Sequence, residues 1–475
     1  MKPIKNIIPS CWQAENAISK LFLSSIIAMT VIFLLAGCDD FVEVDLPNSQ
    51  LNTSNVFEEK ATAHAAMTDV YARLRENGIF TGTFQGLSFS MGIYADELDY
   101  YGASDTGYAL FYSNALITSS PEVRTLFNTT YGQIYACNAI IEGVSNAVAL
   151  PTTDKDRILG EALFTRALLH FYLAGVYGDI PYIKTTDYTQ NSHVTRIPIA
   201  EVYALCSQDV EQAISLLPVE YLAPARTRPN QMAAHALLAK IALAKGDYSM
   251  AKNESSIVIN ETSLYQNVSD LSQTFLKQSP ATIWQLSTGN SGFNTLEALT
   301  FIFNSGPPPS SALTQDLLDA FPSGDLRLQN WTRSITDGTT TWFHAYKYKA
   351  SAGDVVENSI VFRFTEMYLL RAEASARLGE LTTAKEDLDV IRNLAGIGNS
   401  PAISQQEILE DILLQYRLEF FCEHGHRFFD LKRFGMIDSA LSQTKPGWDS
   451  HDVLFPIPEA EILINSALLP QNPGY

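Results

Sequence analysis

The sequence predicts a mostly α-helical protein, in which stacked helix pairs form a scaffold that carries large irregular loop insertions and a few short strands. Three observations support this class: apolar residues at helical spacing, a repeated helix-glycine-helix pattern, and segments rich in Gly, Pro, Ser and aromatic residues. The 475 residues include 46% hydrophobic and 18% charged residues, a composition typical of an ordered globular protein. The net charge of -20 would repel phosphate backbones, so nucleic acid is not an expected partner.

The first residues have the organisation of a secretory signal. Lysines precede an apolar run over residues 21–36, and the run ends in Leu-Ala-Gly-Cys at Cys38. The run is shorter than the roughly twenty residues of a membrane span, and acidic residues follow it at once. The boundary resembles a bacterial lipobox, whose cysteine is acylated and becomes the new N-terminus. We therefore predict a signal peptide over residues 1–37 and a lipidated tether over residues 38–55, anchored through Cys38.

Residues 56–260 are predicted to form an N-terminal helical region. In its longest helix, the positions from Leu159 to Tyr177 repeat apolar residues three and four apart, and Gly178 follows as a stop signal. His170 lies on this apolar face. A histidine in that position is expected to be a hydrogen-bonded core residue rather than a ligand.

A repeat links the two halves of the chain. The segment that begins at Gly246 aligns with the segment that begins at Gly379, and Ala251 then falls opposite Ala384. Each unit reads as a helix, a glycine-centred turn and a second helix with a small residue at the crossing. The pattern resembles tetratricopeptide repeats. Because one such pair cannot bury its inner face alone, several pairs should stack, and we place Tyr368 inside one of them.

Two segments break the helical pattern. Residues 261–362 are rich in Ser, Thr, Asn and Gly, contain three consecutive prolines after Gly306, and are predicted to form an irregular, loop-rich insertion. Within it, residues 281–286 read as a short strand. The stretch from Phe80 to Tyr112 has a similar composition. Residues 363–475 return to helical periodicity and are predicted to form a C-terminal helical region.

No catalytic or cofactor motif is found. The sequence has no HExxH, P-loop, GxGxxG or GxSxG pattern, and its five cysteines are scattered. His424 and His426 are two residues apart, so on a helix they would point to different faces. We therefore predict no catalytic residues, no metal site and no cofactor.

The C-terminal region carries a specific signature. The segment RLEFFCEHGHRFFDLKRFG, from Arg417 to Gly435, resembles the pattern R-x-E-(F)-x-x-E-G-x-R-x-x-D-L-x-R-x-G of the SusD/RagB family of nutrient-binding outer-membrane lipoproteins. The segments EALFTRA from Glu161, RFTEMYLLRAEA from Arg363 and QNPGY at the C-terminus also resemble family motifs. The spacing of Glu423 and Arg427 is helical, so these two charges are expected to pair.

The resemblance implies a fold and a function. The implied fold is a scaffold of four tetratricopeptide-like helix pairs with long loops that carry the binding surface. The implied function is capture of oligosaccharides, or in some members peptides, on the cell surface. It also implies a SusC-like TonB-dependent transporter as partner and a lipid-anchored location on the outer membrane, facing the cell exterior.

Candidate ligand-binding residues are the aromatic and polar residues of the two irregular stretches, since aromatic rings pack against the apolar faces of sugars and polar side chains bind the hydroxyl groups. Trp284 is assigned to the strand and the core, and Trp331 and Trp342 are secondary candidates. The candidates are Asp96, Glu97, Tyr100, Tyr101, Tyr108, Asn290, Phe293 and Phe303.

Two other functions remain open from the sequence. A lipid-anchored glycan hydrolase could use Asp96 or Glu97, because glycosidases need two carboxyl groups across a cleft. A structural scaffold could bind protein partners through its helix pairs without any small ligand. The first requires two facing acids, and the second requires a bare helical face without an aromatic loop surface.

Overall fold

The computed structural model describes residues 56–289 and 294–475, and helices dominate this part of the chain. The predicted signal peptide, the tether and Cys38 lie outside the described residues. Numbered in chain order over the described residues, the helices are α1 (Lys60–Glu76), α2 (Leu87–Tyr94), α3 (Gly107–Tyr112), α4 (Pro121–Asn146), α5 (Thr152–Tyr177), α6 (Tyr188–Asn191), α7 (Ile199–Leu216), α8 (Gln231–Lys245), α9 (Tyr248–Asn260), α10 (Leu296–Phe301), α11 (Gln315–Asp319), α12 (Leu326–Trp331), α13 (Phe364–Arg377), α14 (Leu381–Leu394), α15 (Gln405–Phe420), α16 (His426–Phe434), α17 (Ile437–Thr444) and α18 (Glu459–Ile464).

Six short strands accompany the helices in the described residues. They pair as three two-stranded antiparallel sheets, β1 with β3, β2 with β6 and β4 with β5. The mostly α-helical class with few short strands is therefore confirmed. The strands are β1 (Leu98–Tyr100), β2 (Thr282–Leu286), β3 (Ser311–Leu313), β4 (Thr332–Thr336), β5 (Thr341–Ala345) and β6 (Ser359–Arg363).

The predicted repeat corresponds to two helix pairs, α8–α9 and α13–α14. Gly246 and Gly379 stand between the helices of each pair with φ of 78° and 81°. Glycine adopts this left-handed conformation without the steric cost that a Cβ imposes, which is why each first helix ends there. Ala251 and Ala384 are fully buried, as a close helix crossing requires. The two pairs pack together through α9 and α13.

The longest helices, α4 and α5, each contain 26 residues and pack against each other. Helix α5 ends at Tyr177 before Gly178, as predicted. His170 is fully buried and uses both ring nitrogens, because Nδ1 lies 2.9 Å from the carbonyl oxygen of Arg166 and Nε2 accepts from the N–H of Ile183 at 3.1 Å. Burial lowers its pKa to about 3, so the ring is neutral and structural.

The predicted pairing of Glu423 with Arg427 is wrong. Gly425 adopts φ of 74°, and α16 begins only at His426, so the two residues do not share a continuous helix. Glu423 instead binds Lys347 and Arg363, while Arg427 binds Asp96. Each of the two residues therefore pairs with a residue that is distant in sequence instead of with the other.

Two aromatic residues of the scaffold differ in burial. Trp284 is fully buried on β2, as predicted, and its ring centroid lies 5.1 Å from that of Phe164. Tyr368 lies on α13 but is only partly buried, with its ring 5.3 Å from that of Phe364. Tyr368 packs against both hydrophobic clusters of the scaffold, although it is less buried than the core position that the sequence predicted.

The insertion over residues 261–362 is more ordered than predicted, since it contains three short helices, four complete strands and most of β6. The predicted strand over residues 281–286 is confirmed as β2. Trp331 is buried at 1% exposure, and its indole N–H donates to the carbonyl oxygen of Leu271 at 3.1 Å. A secondary ligand candidate is therefore part of the core.

None of the helices within residues 56–289 and 294–475 combines the length and apolar character of a membrane span.

Candidate functional site

The two irregular stretches singled out in the sequence meet in one place. Strand β1 of the first stretch pairs with β3 of the insertion, with Leu98 opposite Leu313 and Tyr100 opposite Ser311. The backbone N–H of Tyr101 extends this pairing by donating to the carbonyl oxygen of Ser310 at 2.7 Å. Loops more than two hundred residues apart in the chain therefore form one surface.

This surface carries aromatic side chains that reach solvent. Phe84 is 41% exposed and Tyr101 is 42% exposed, while Tyr100 and Tyr108 are partly buried. The rings of Phe84 and Tyr108 have centroids 6.1 Å apart, and both pack against buried Phe89. We call Phe84, Tyr100, Tyr101 and Tyr108 the aromatic surface. Exposed rings held by buried neighbours offer apolar faces at a small ordering cost on binding.

Hydrogen bonds fix the orientation of the tyrosines near this surface. The hydroxyl of Tyr100 lies 2.7 Å from Oγ1 of Thr106, and Tyr112 donates to Oδ1 of Asp99 at 3.0 Å. The ring centroids of Tyr100 and Tyr112 are 6.3 Å apart. Burial, reinforced by the nearby Asp99 carboxylate, raises the pKa of Tyr112 to about 12, so its hydroxyl stays protonated at neutral pH.

The side chain of Lys445 packs against one of these tyrosines, Tyr112. Nζ of Lys445 is 4.0 Å from the ring centroid of Tyr112 and donates to the carbonyl oxygen of Ile93 at 2.6 Å. Burial lowers the pKa of Lys445 to about 8, although the charges of Asp99 and Asp96 oppose that shift. The cation-π contact adds to the ordering of Tyr112, which in turn supports Tyr100.

Among the described residues of the insertion, two candidates from the sequence are Phe303 and Trp342. Phe303 is 6% exposed, and its ring stacks edge to face on His344 with centroids 4.7 Å apart. Its assignment as a ligand contact is not supported, because the ring packs inward. Trp342 on β5 is partly buried and lies so close to Gly306 that a Cβ there would fall 2.0 Å from its Cζ3 atom. Asn290 and Phe293 lie outside the described residues.

Asp96 is a buried member of an ion-pair cluster. It is 3% exposed and accepts from Nε and a terminal nitrogen of Arg427 at 2.8 and 2.7 Å, and from Arg417 at 3.1 Å. Burial would raise its pKa, but the hydrogen bonds and charges of the two arginines hold the pKa below its ordinary value. Asp96 therefore joins the C-terminal signature to the first loop stretch through its two arginine partners.

Glu97 is buried beside it. Its side chain is 2% exposed, and Oε2 accepts from the N–H of Cys422 at 3.2 Å. Burial, followed by the neighbouring charge of Asp96, raises the pKa of Glu97 to about 8, so the carboxyl is largely protonated at neutral pH. Both acids are therefore buried, at 3% and 2% exposure, which differs from the solvent-facing position that a ligand contact predicted from the sequence would have.

Phe84 is a member of the aromatic surface that was not among the candidates predicted from the sequence. It lies in the stretch from Phe80 to Tyr112 that was recognised as irregular, within Thr-Gly-Thr-Phe-Gln-Gly. A large apolar residue between two glycines in a turn-forming segment was the available signal. Over the residues that the structure describes, no group of His, Cys, Asp and Glu is arranged to hold a metal ion.

Comparison with protein-family models finds two matches. A model described as "Starch-binding associating with outer membrane" matches residues 45–243. A second, described as "SusD family", matches residues 323–475. Together they cover about three quarters of the chain.

Known proteins and structures agree with these matches. SusD-like protein P2 of Formosa agariphila is 25% identical, over 94% of this chain and 98% of its own length. A SusD superfamily protein from Bacteroides vulgatus superposes with a TM-score of 0.77 at 21% identity, over 88% of this chain and all of the other. Surface glycan-binding protein A from Bacteroides thetaiotaomicron, solved in complex with laminarihexaose, superposes with a TM-score of 0.73 at 17% identity, over 87% of this chain and 99% of its own.

Proposed function

The chain belongs to the SusD family, and on this premise we propose that it is a cell-surface lipoprotein that captures oligosaccharides and passes them to a SusC-like TonB-dependent transporter. Binding, rather than chemical conversion, is the activity. In this proposal, Cys38 carries the lipid anchor, and the residues that follow it lie on the outer face of the outer membrane.

The aromatic surface is the observation that carries this proposal. Phe84 and Tyr101 present exposed ring faces, and Tyr100 and Tyr108 extend them at partial burial. Sugar rings have apolar C–H faces and polar edges, so flat aromatic side chains with hydroxyl and carbonyl groups around them are their matching chemistry. The β1–β3 pairing holds the backbone of Tyr100 and Tyr101 in place.

An oligosaccharide is favoured over a peptide as ligand. Several exposed or partly buried rings suit a chain of repeated sugar units, and a protein of similar fold is solved with laminarihexaose. We therefore place β-glucan oligosaccharides first among the ligands to test. A peptide would use backbone hydrogen bonds along a free strand edge as well as side-chain contacts, which makes peptides the main competing class.

The hydrolase alternative is not favoured, because both of its candidate acids are buried in contacts with other residues. A glycosidase needs two carboxyl groups that reach the scissile bond, whereas Asp96 is bound by two arginines and Glu97 is buried against Cys422. The pure scaffold alternative expects no aromatic loop surface. The exposure of Phe84 and Tyr101 therefore favours a small ligand on the loops.

Calorimetric titration tests the proposal. The full-length chain in detergent is titrated with laminari-, malto-, cello- and xylo-oligosaccharides, and with a mixture of short peptides. One oligosaccharide series should bind, and Phe84→Ala combined with Tyr101→Ala should weaken its binding by at least tenfold. Tyr135→Ala is the matched control, because Tyr135 is 53% exposed but lies on α4. Binding of peptides alone, or equal affinity of all variants, would refute the proposal.

A further inference from the structure

The two segments that form the aromatic surface contain no basic residue. Residues 77–123 and 278–326 have no lysine or arginine, although the whole chain has 32 of them. Strands β1 and β3 lie within these two segments and join them. Among their acidic residues, Asp105 is exposed, and Asp99 and Glu122 are partly exposed. The aromatic surface is therefore formed by segments whose charged side chains are all acidic.

Asp99 lies beside the rings of this surface. The backbone N–H of Tyr101 continues the β1–β3 pairing, so the side chains of Asp99 and Tyr101 point to the same face, about 7 Å apart along the strand. Oδ1 of Asp99 accepts from the hydroxyl of Tyr112 at 3.0 Å. Its Oδ2 has no hydrogen-bond partner among the described residues, and none of their basic side chains forms an ion pair with it. Asp99 therefore keeps an acceptor for a ligand next to an exposed ring.

Glu122 places a second carboxylate beside Tyr108. A Cβ on Gly107, the residue before Tyr108, would clash with the Glu122 carboxylate, which therefore lies against this part of the backbone. Burial, followed by the charge of Glu122, raises the pKa of Tyr108. Oε2 of Glu122 accepts from the hydroxyl of Ser120 at 3.1 Å, and within residues 56–289 and 294–475 no basic side chain pairs with it. Uncompensated carboxylates thus lie next to Tyr101 and next to Tyr108.

Two basic residues from other parts of the chain approach this region, and both are held by acceptors of the protein. Lys445 packs on Tyr112, but it is 6% exposed and donates to the carbonyl oxygen of Ile93 at 2.6 Å. Arg417 donates to Asp96 at 3.1 Å and to Asp316 at 2.6 Å. Neither cation is therefore available to bind an anionic group on the rings.

From this arrangement we propose that the aromatic surface selects uncharged oligosaccharides and rejects those that carry carboxylate or sulfate groups, with Asp99 as the residue that determines the selection. This inference rests on the proposed function and names the substrate class of the same site. Oδ2 of Asp99 accepts a hydrogen bond from a sugar hydroxyl, whereas an anionic group at that position is repelled. Glu122 adds to the repulsion beside Tyr108.

Calorimetric titration of the full-length chain in detergent tests the selection with matched probes. These are laminarihexaose, cellohexaose and maltohexaose, the same three hexaoses with their C6 hydroxyl groups oxidised to carboxylates, and the hexamer of glucosamine as a cationic probe. The neutral hexaose that binds should bind at least roughly tenfold more tightly than its oxidised counterpart at low salt. Sodium chloride at about 0.5 M should reduce this ratio, because salt screens repulsion between exposed charges.

The Asp99→Asn variant separates charge repulsion from a steric effect of the oxidised group. Asparagine keeps the shape of the side chain and an oxygen for Tyr112 but removes the charge, so the oxidised hexaose should bind roughly threefold or more tightly than it binds the wild type. The ratio between the neutral and the oxidised hexaose should narrow accordingly. Asp156→Asn is the matched control, because Asp156 is also a partly exposed aspartate but lies on α5, and it should leave the ratio unchanged. Thermal melts check that both variants fold.

The outcomes distinguish this inference from the proposed function. The selection is overturned, while capture of a glycan stands, if an oxidised hexaose binds as tightly as its neutral counterpart or if only the glucosamine hexamer binds. An unchanged ratio in a folded Asp99→Asn variant would refute the role of Asp99. Absence of binding by every hexaose, whatever its charge, would overturn the proposed function and this inference with it.

Discussion

Substituting Glu97 by Gln should change how the stability of the protein depends on pH. Glu97 is buried, and its pKa is raised from 4.5 to about 8 by burial and by the charge of Asp96. At pH 7 the folded protein therefore holds a proton that the unfolded chain releases. Stability from this group is fully present below pH 4.5 and is lost as the pH rises through 8.

The magnitude follows from the size of the shift. One bound proton gives a slope of about 1.4 kcal/mol per pH unit, and the full shift corresponds to up to about 5 kcal/mol. Glutamine resembles the protonated acid in shape and is neutral at every pH. In Glu97→Gln, the free energy of unfolding should fall less between pH 5 and 8, by a slope difference approaching one proton.

Urea denaturation followed by tryptophan fluorescence at pH 5, 6, 7, 8 and 9 measures this slope. Glu220→Gln serves as the control, because Glu220 is exposed and should leave the slope unchanged. Glu297 is also buried, and its pKa is raised to about 7. The stability of the Glu97→Gln variant should therefore still depend on pH through Glu297, but less steeply than that of the wild type. Parallel curves for the wild type and Glu97→Gln would refute the assignment of a protonated, buried Glu97.

Three further predictions concern the anchor, the turns and the buried charges. Cys38→Ala should move the protein from the membrane fraction to the soluble fraction, as seen by fractionation and immunoblotting, and unchanged membrane association would contradict the lipid anchor. Gly379→Ala should lower the free energy of unfolding by about 1 kcal/mol, because its φ of 81° strains any Cβ while no atom stands nearby. Gly132→Ala, in open space on α4, should instead be neutral or stabilising, and equal urea midpoints for the two would exclude backbone strain. Arg363→Met should cost about 3 to 5 kcal/mol in the same assay, because it leaves Glu419 and Glu423 buried with fewer partners, and a loss below 1 kcal/mol would mean that the cluster relaxes.

The scaffold could be predicted from local patterns. The end of α5 at Gly178, the glycine turns of the two helix pairs and strand β2 depend on residues close in sequence, through periodicity, backbone freedom and short-range hydrogen bonding. The same locality explains the burial of His170 and Trp284, since each lies on an element that is apolar on the relevant face.

The candidate site could be predicted only by region. Tyr100, Tyr101 and Tyr108 lie in the stretch that forms the aromatic surface, but Phe84 was missed and Phe303 packs inward. The exposure of an aromatic ring depends on what covers it, and the covering atoms come from distant parts of the chain. Composition identifies a segment that forms loops, but it does not determine which side of the loop faces solvent.

The sequence by itself determined the helical class, the paired-helix repeat and the family to which the chain belongs, because these follow from spacing and motifs along the chain. The tertiary structure alone decided the charge partners and the shape of the sites. Arg427 lies four residues after Glu423 yet binds Asp96, more than three hundred residues away. Coulomb and hydrogen-bond energies depend on the distance between two groups in space, not on their separation along the chain. The partner of a buried charge is therefore decided by which residues the fold places next to it.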